Sequence, residues 1–287
     1  MWPYSYDSCD LGTFPNQTAH DGTPPAAATG SNTGGPISVL PGQRLSACTC
    51  PGSDHPGPSV ATGRGAPEID IIETQVDLSR FVGQVSQSLQ CAPYNYQYNF
   101  DNSSTASPIY NPSTTQYNSY KGGPLQQAIS ALTDINSANY NGTGYAAYGY
   151  EWWYDSDNRP NSFVTWYSDG LPTWTATSAT IGPDSITEIS QRLIPEEPMV
   201  CSDKQIQWPN VDGFQYLILN LGLAPSFQKQ DFKHLQFPAR MYIDYVRVYQ
   251  REGVKNGITC DPPNRPTTDY ISRFVGELYD STLSANF

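Results

Sequence analysis

The chain has 287 residues and carries 27 acidic against 15 basic side chains, a net charge of −12. That balance excludes the basic footprint that nucleic-acid recognition needs, and it fits a neutral polysaccharide partner or simple solubility. With 25 Pro, 23 Gly, 20 Tyr and only 15% charged residues, the composition favours short strands joined by turns over helices, at a length common for one all-β sandwich.

In chain order, residues 11–60 read as loop, dominated by Gly, Pro, Ser, Thr and Ala. An acidic strand follows, Pro67-Glu68-Ile69-Asp70-Ile71-Ile72-Glu73-Thr74, in which three isoleucines favour extended structure. Side chains alternate along a strand, so Glu68 and Asp70 share a face while Glu73, at an odd offset, points the other way. One extra residue in a β-bulge within Ile71-Ile72 would restore the register and bring all three acids to one face. Residues 91–122, rich in Tyr, Asn and Ser, predict a long surface excursion, either lining a sugar site or a low-complexity insertion.

Leu125, Ile129 and Leu132 stand at three- and four-residue spacing and predict a short helix over 124–136. Tyr145 to Trp153 and Ser162 to Tyr167 read as strands, with a turn at Ser168-Asp169-Gly170. Phe214 to Leu223 and Met241 to Gln250 are the clearest remaining strands. Residues 260–287 read as a tail packed on a domain that occupies 1–259. The order is strand-dominated without βαβ repeats, which predicts an all-β sandwich rather than an α/β fold.

Three carboxylates on one face repel one another unless the chemistry uses them. Glycoside hydrolysis with retention uses two carboxyls, one as nucleophile and one as acid/base, and a third acid between them helps to push their pKa values apart. The competing reading is a solvated acidic edge strand that discourages aggregation. Trp152, Trp153, Trp166 and Trp174 could each stack on a sugar or pack in the core; the adjacent pair faces opposite ways, so at most one of those two lines a cleft. Asn220, a polar residue in an apolar strand, could reach a sugar or make a buried structural hydrogen bond.

Six cysteines, Cys9, Cys48, Cys50, Cys91, Cys201 and Cys260, form an even set that suggests disulfides in an extracytoplasmic protein. Cys48 and Cys50 are too close for an easy internal bridge. The histidines are scattered and no Cys-x-x-Cys occurs, so no metal or other cofactor is expected. Asn16, Asn102 and Asn141 open N-glycosylation sequons. No secretory signal is visible, and no stretch approaches the ~20 apolar residues that span a bilayer.

Glu68-Ile69-Asp70-Ile71-Ile72-Glu73 resembles the bulged form of the active-site strand of glycoside hydrolase family 16. The surrounding text resembles, within it, the fungal β-glucan synthesis-associated proteins. The matching stretches are Trp2–Asp10, Gly63–Glu68, Gln191–Met199, Met241–Gln250 and Cys260–Pro263, in order along nearly the whole chain. The resemblance implies a concanavalin-like jelly-roll sandwich with long loops. It also implies a type II membrane protein on the lumenal or extracellular side of the secretory pathway or plasma membrane. The family's anchor helix and first strands lie upstream of its matching stretches, so the chain reads as an N-terminally truncated piece whose only membrane association is through that anchor.

The residue roles it implies are Glu68 as nucleophile, Glu73 as general acid/base and Asp70 as their hydrogen-bonding assistant. β-Glucan is the implied substrate, and the making of wall β-1,6-glucan the implied role. Two readings without catalysis stand beside it: a glucan-binding module, and an assembly factor for wall synthesis.

Overall fold

The computed structural model describes residues 29–31, 33–35, 68–91, 97–123, 126–139, 144–155, 157–183, 217–253 and 268–273. Most of the expected 11–60 loop and of the 260–287 tail lies outside them. So do Cys9, Cys48, Cys50, Cys201, Cys260, Asn16 and Asn141, and the side chain of Cys91.

The regular elements of the described residues are strands apart from two single 3₁₀ turns, a short helix, α1 (Thr268–Arg273), and the helical residue Thr29. Strands β1 (Glu68–Asp77), β2 (Val82–Cys91), β3 (Thr115–Tyr117), β4 (Gly122–Gly123) and β5 (Gln126–Asp134) make one antiparallel sheet in the order β1-β2-β5-β3, with β4 also on β5. Strands β6 (Tyr148–Trp153), β7 (Phe163–Ser168) and β8 (Leu171–Thr177) form the second antiparallel sheet in sequence order. The β7–β8 turn is the expected one. Asp169 and Gly170 have φ of 54° and 76°, the paired left-handed conformation of a two-residue hairpin turn that follows strand twist.

The core lies between the sheets, with Leu89, Ile129 and Ala131 from one meeting Val164, Trp166, Trp174 and Ala176 from the other. Trp166 and Trp174 stack with centroids 4.4 Å apart and planes 2° from parallel. This two-sheet antiparallel packing is that of a jelly-roll sandwich.

Three expectations change. Residues 126–134 are a strand, not part of a helix: Ile129, Ala131 and Thr133 alternate inward, and β5 is held by ladders to both β2 and β3, which override the helical spacing of the larger side chains. The excursion after Cys91 is not simply superficial. Tyr98 and Ala106 are buried, and residues 106–110 run along β8 with Tyr110 N–H to Thr173 O at 2.9 Å and Thr175 N–H to Pro108 O at 3.0 Å. Finally, residues 217–223 and 241–250 form no ladder and stay exposed, Ile218 and Tyr249 each at 79%. Strand-forming side chains do not make a strand without a partner for the backbone.

Candidate active site

Strand β1 is built around the bulge its sequence requires. Glu68 pairs with Gln90 and Asp70 with Ser88, but the next pair is Glu73 with Ser86. Three steps on β1 therefore oppose two on β2, and the extra residue falls within Ile71-Ile72. Directly paired residues share a face of the sheet. Glu68, Asp70 and Glu73 thus stand on one side, opposite Gln90, Ser88 and Ser86, while Ile69 packs against the core. Backbone separation from Glu68 to Glu73 spans four steps of β2, about 13 Å at ~3.3 Å per residue. The two long glutamates must lean together over the shorter Asp70 to reach the ~5–5.5 Å of a retaining pair.

All three acids are half-buried. Glu73 is pushed up to about 7, first by burial and then by the negative charges of Asp70 and Glu68. A carboxyl in that state is protonated over the lower part of the neutral range and can give a proton at little cost.

Asp70 is gripped from two directions. Ser88 Oγ–H donates to Oδ2 at 2.9 Å and Gln90 Nε2–H donates to the same oxygen at 2.7 Å. From the opposite sheet, Trp166 Nε1–H donates to the Asp70 backbone carbonyl at 3.0 Å. That bond pins the chain at the edge of the bulge.

The tryptophans sort by burial. Trp166 is fully buried and stacked on Trp174, so it offers no ring face to a ligand, and its indole N–H meets the acidic strand at the Asp70 carbonyl. Trp152 is partly buried beside Tyr150, ring centroids 6.5 Å apart, and both pack on the core cluster. Trp153 lies under the Arg251 guanidinium, 4.1 Å from ring centroid to Cζ, which ties the 241–253 segment to β6. Asn220 is exposed in the 217–223 segment, and Asn102 is exposed just before the turn at 104–106. The structure thus brings Glu68, Asp70 and Glu73 together, with Trp166 beneath them.

Ser88 and Gln90 are site residues that sequence reading misses. The signal for them is the polar alternation Gln84, Ser86, Ser88, Gln90 around Val85 and Leu89, a period-2 pattern that gives one polar face. Among the described residues no cluster of His, Cys, Asp and Glu is arranged to hold a metal ion, and no helix is long and apolar enough to cross a membrane.

The site is defined by a two-sheet sandwich that presents three half-buried carboxyls on one face of a bulged strand. The comparisons narrow it: residues 1–286 match the family model for beta-glucan synthesis-associated proteins of the SKN1/KRE6/Sbg1 type, and the chain belongs to that family. It is 38% identical over 288 residues to the beta-glucan synthesis-associated protein KRE6 of Saccharomyces cerevisiae, covering 99% of this chain and 34% of that protein. Identity is 39% to SKN1 of the same yeast, over 99% of this chain and 32% of the relative. To KRE6 of Candida albicans it is 40%, over 100% of this chain and 34% of the relative. The chain spans about a third of the length of these relatives. No solved structure matches it.

Proposed function

We propose that the chain carries a retaining β-glucan glycosidase or transglycosidase centre that serves fungal cell-wall glucan synthesis. The observation that carries this reading is the bulge, which spends an extra residue to put Glu73 on the face of Glu68 and Asp70. Glu68 attacks the anomeric carbon and forms a glycosyl-enzyme, while Glu73 gives its proton to the leaving oxygen. Glu73 then takes a proton from the acceptor, water in hydrolysis or a glucan hydroxyl in transfer, as the acceptor oxygen attacks the anomeric carbon and releases Glu68 as a carboxylate. The raised affinity of Glu73 for its proton supports the acid role, and its burial beside two like charges is the cause. Asp70 stands between them as the hydrogen-bonding assistant, its Oδ2 held in this structure by Ser88 and Gln90. Trp152, Trp153 and Asn220 are candidate sugar contacts; the burial of Trp166 favours a supporting role for it.

In this reading residues 1–259 form one sandwich domain with 260–287 packed on it. The domain works on the lumenal or outer side of the secretory pathway, where the six cysteines would pair and Asn16, Asn102 and Asn141 would be glycosylated. The second reading, a glucan-binding or assembly factor without turnover, draws on the family's name, which speaks of association with synthesis.

The test is incubation of the full-length protein with defined β-1,3- and β-1,6-gluco-oligosaccharides, followed by mass spectrometry. New longer or shorter products that vanish in Glu68→Gln are expected. Binding without product change moves the function to the glucan-binding module, and neither binding nor products moves it to an assembly role.

A further inference from the structure

The face that carries the three acids does not end at Glu73. Gln75 pairs with Gln84 on β2 and stands on the same side of the sheet, about 6.6 Å further along at ~3.3 Å per residue. Its amide is turned one way by a chain of hydrogen bonds that begins at a charge. Arg80 grips Asp134 with both arms of its guanidinium, Nη1–H to Oδ2 at 2.6 Å and Nη2–H to Oδ1 at 2.9 Å. Its Nε–H donates to Asp77 at 2.7 Å, which fixes the guanidinium in turn. The Arg80 contact holds the Asp134 carboxyl below its usual range, so Asp134 only accepts. Gln84, 2% exposed, therefore turns its amide nitrogen to Asp134, Nε2–H to Oδ1 at 3.0 Å, and leaves Oε1 facing Gln75. Gln75 must then offer Nε2–H to that oxygen, which it does at 3.2 Å.

The chain ends on Gln75 with Oε1 and one N–H unengaged among the described residues, on a side chain that is half-buried beside Glu73. The backbone next to it is clamped as well. Val76 N–H donates to Gln228 Oε1 at 3.0 Å, and Gln228 Nε2–H donates to the Val76 carbonyl at 2.8 Å. A fixed amide edge that both accepts and donates matches a hydroxyl, which does the same, better than an ammonium or a carboxylate. We propose that Gln75 is a specificity-determining residue that binds a hydroxyl of the glucosyl unit on the Glu73 side of the scissile bond. That unit leaves in the first step and is replaced by the acceptor in transfer. The assignment of the side rests on the glycosyl-transfer reading above. The anomeric carbon lies between Glu68 and Glu73 in that reading, and Gln75 stands beyond Glu73.

The test compares Gln75→Met with the wild type in the full-length protein on two sets of substrates. One is the β-1,3- and β-1,6-gluco-oligosaccharides; the other has a nitrophenyl group, which carries no sugar hydroxyl, in place of the leaving glucosyl unit. Loss of one hydroxyl contact should lower kcat/KM about tenfold for the gluco-oligosaccharides and only about twofold for the nitrophenyl glycosides. In a Glu68→Gln background, calorimetric binding of the gluco-oligosaccharides should also weaken about tenfold. Equal losses on the two sets would mean that Gln75 only supports the sheet, and they overturn the proposal, as does a variant that behaves like the wild type. If the wild type binds the oligosaccharides without turnover, the reaction proposed above falls and calorimetry decides alone. Weaker binding by the folded variant then upholds the sugar contact, and equal binding overturns it. If the wild type neither binds nor turns over, both fall. Should Gln75→Met fail to fold, Gln75→Asn, whose amide stops one carbon short, is read against the same outcomes.

Discussion

At the scale of single residues the proposed chemistry turns on Glu73, whose environment was only half legible in the sequence. Three acids within six residues announce mutual repulsion, but the burial that contributes most to the shift of Glu73 becomes visible only in the folded sheet. Its pH consequence has a definite sign. A carboxyl raised from 4.5 to about 7 binds its proton more tightly in the folded state than in the unfolded one. Its contribution is therefore intact below pH 4.5 and is lost as pH rises through about 7. Glu73→Gln, which cannot ionise, should be more stable than the wild type at pH 8 by on the order of 1 kcal/mol once solvent screening is allowed for. The difference should disappear below pH 4.5, as urea melts at the two pH values would read. If Glu73 is the acid, kcat/KM should also fall above pH 7, and Glu73→Gln should lose that alkaline limb together with the activity. A wild type and variant that melt alike at pH 8 would mean that Glu73 is not held in a raised state.

At the scale of elements the bulge in β1 was legible because parity demanded it. Glu68 and Glu73 cannot share a face of a regular strand, and the two adjacent isoleucines mark where the extra residue sits. The helix expected around Leu125, Ile129 and Leu132 failed for the complementary reason: spacing of large side chains was read without Ala131 and Thr133, which complete a period of two. Strand β2 escaped notice because its inner face includes a glutamine, Gln87, where an apolar residue would have signalled a strand.

The parity argument makes its own prediction. Deleting Ile72 leaves Glu-Ile-Asp-Ile-Glu, whose three acids share a face of a regular strand with no bulge at all. That variant should fold and keep any glucan activity to within about tenfold, since the carboxyls keep their faces while their spacing shifts slightly. Deleting both Ile71 and Ile72 returns the last glutamate to the wrong parity and should cost at least about a hundredfold. Equal loss in the two deletions would show that the bulge shapes the site rather than merely absorbing a residue. Product analysis on defined gluco-oligosaccharides distinguishes these outcomes.

At the scale of the whole molecule, the sandwich was legible from strand order and turn chemistry, but not the way its sheets hold their mutual register. The 217–223 and 241–250 segments have the alternation of strands and no ladder, so sequence preference alone could not place them. Besides the Trp166 bond to the Asp70 carbonyl, a second polar link joins the sheets inside the core. Gln87, fully buried on β2, donates through Nε2–H to the Tyr167 carbonyl at 3.0 Å and accepts from Thr173 Oγ1–H at 2.7 Å. Thr173 reaches it because β8 has its own irregularity, where Trp166 pairs with Trp174 and Tyr167 with Pro172, leaving Thr173 as the extra residue. A buried amide joining two sheets at a bulge fixes their alignment as apolar contacts cannot, since a glutamine is satisfied in one position and a leucine in many. Gln87→Leu keeps nearly the same volume but strands the Tyr167 carbonyl, and should lower unfolding free energy by about 2 kcal/mol. Thr173→Val alone should cost less, because the Gln87 oxygen retains Thr133 Oγ1 at 3.4 Å as a weak donor. The double variant should cost less than the sum, the mark of one shared interaction. Additive losses in denaturant titrations would mean that the two residues act separately and that the apolar core, with Trp166 on Trp174 at its centre, aligns the sheets unaided.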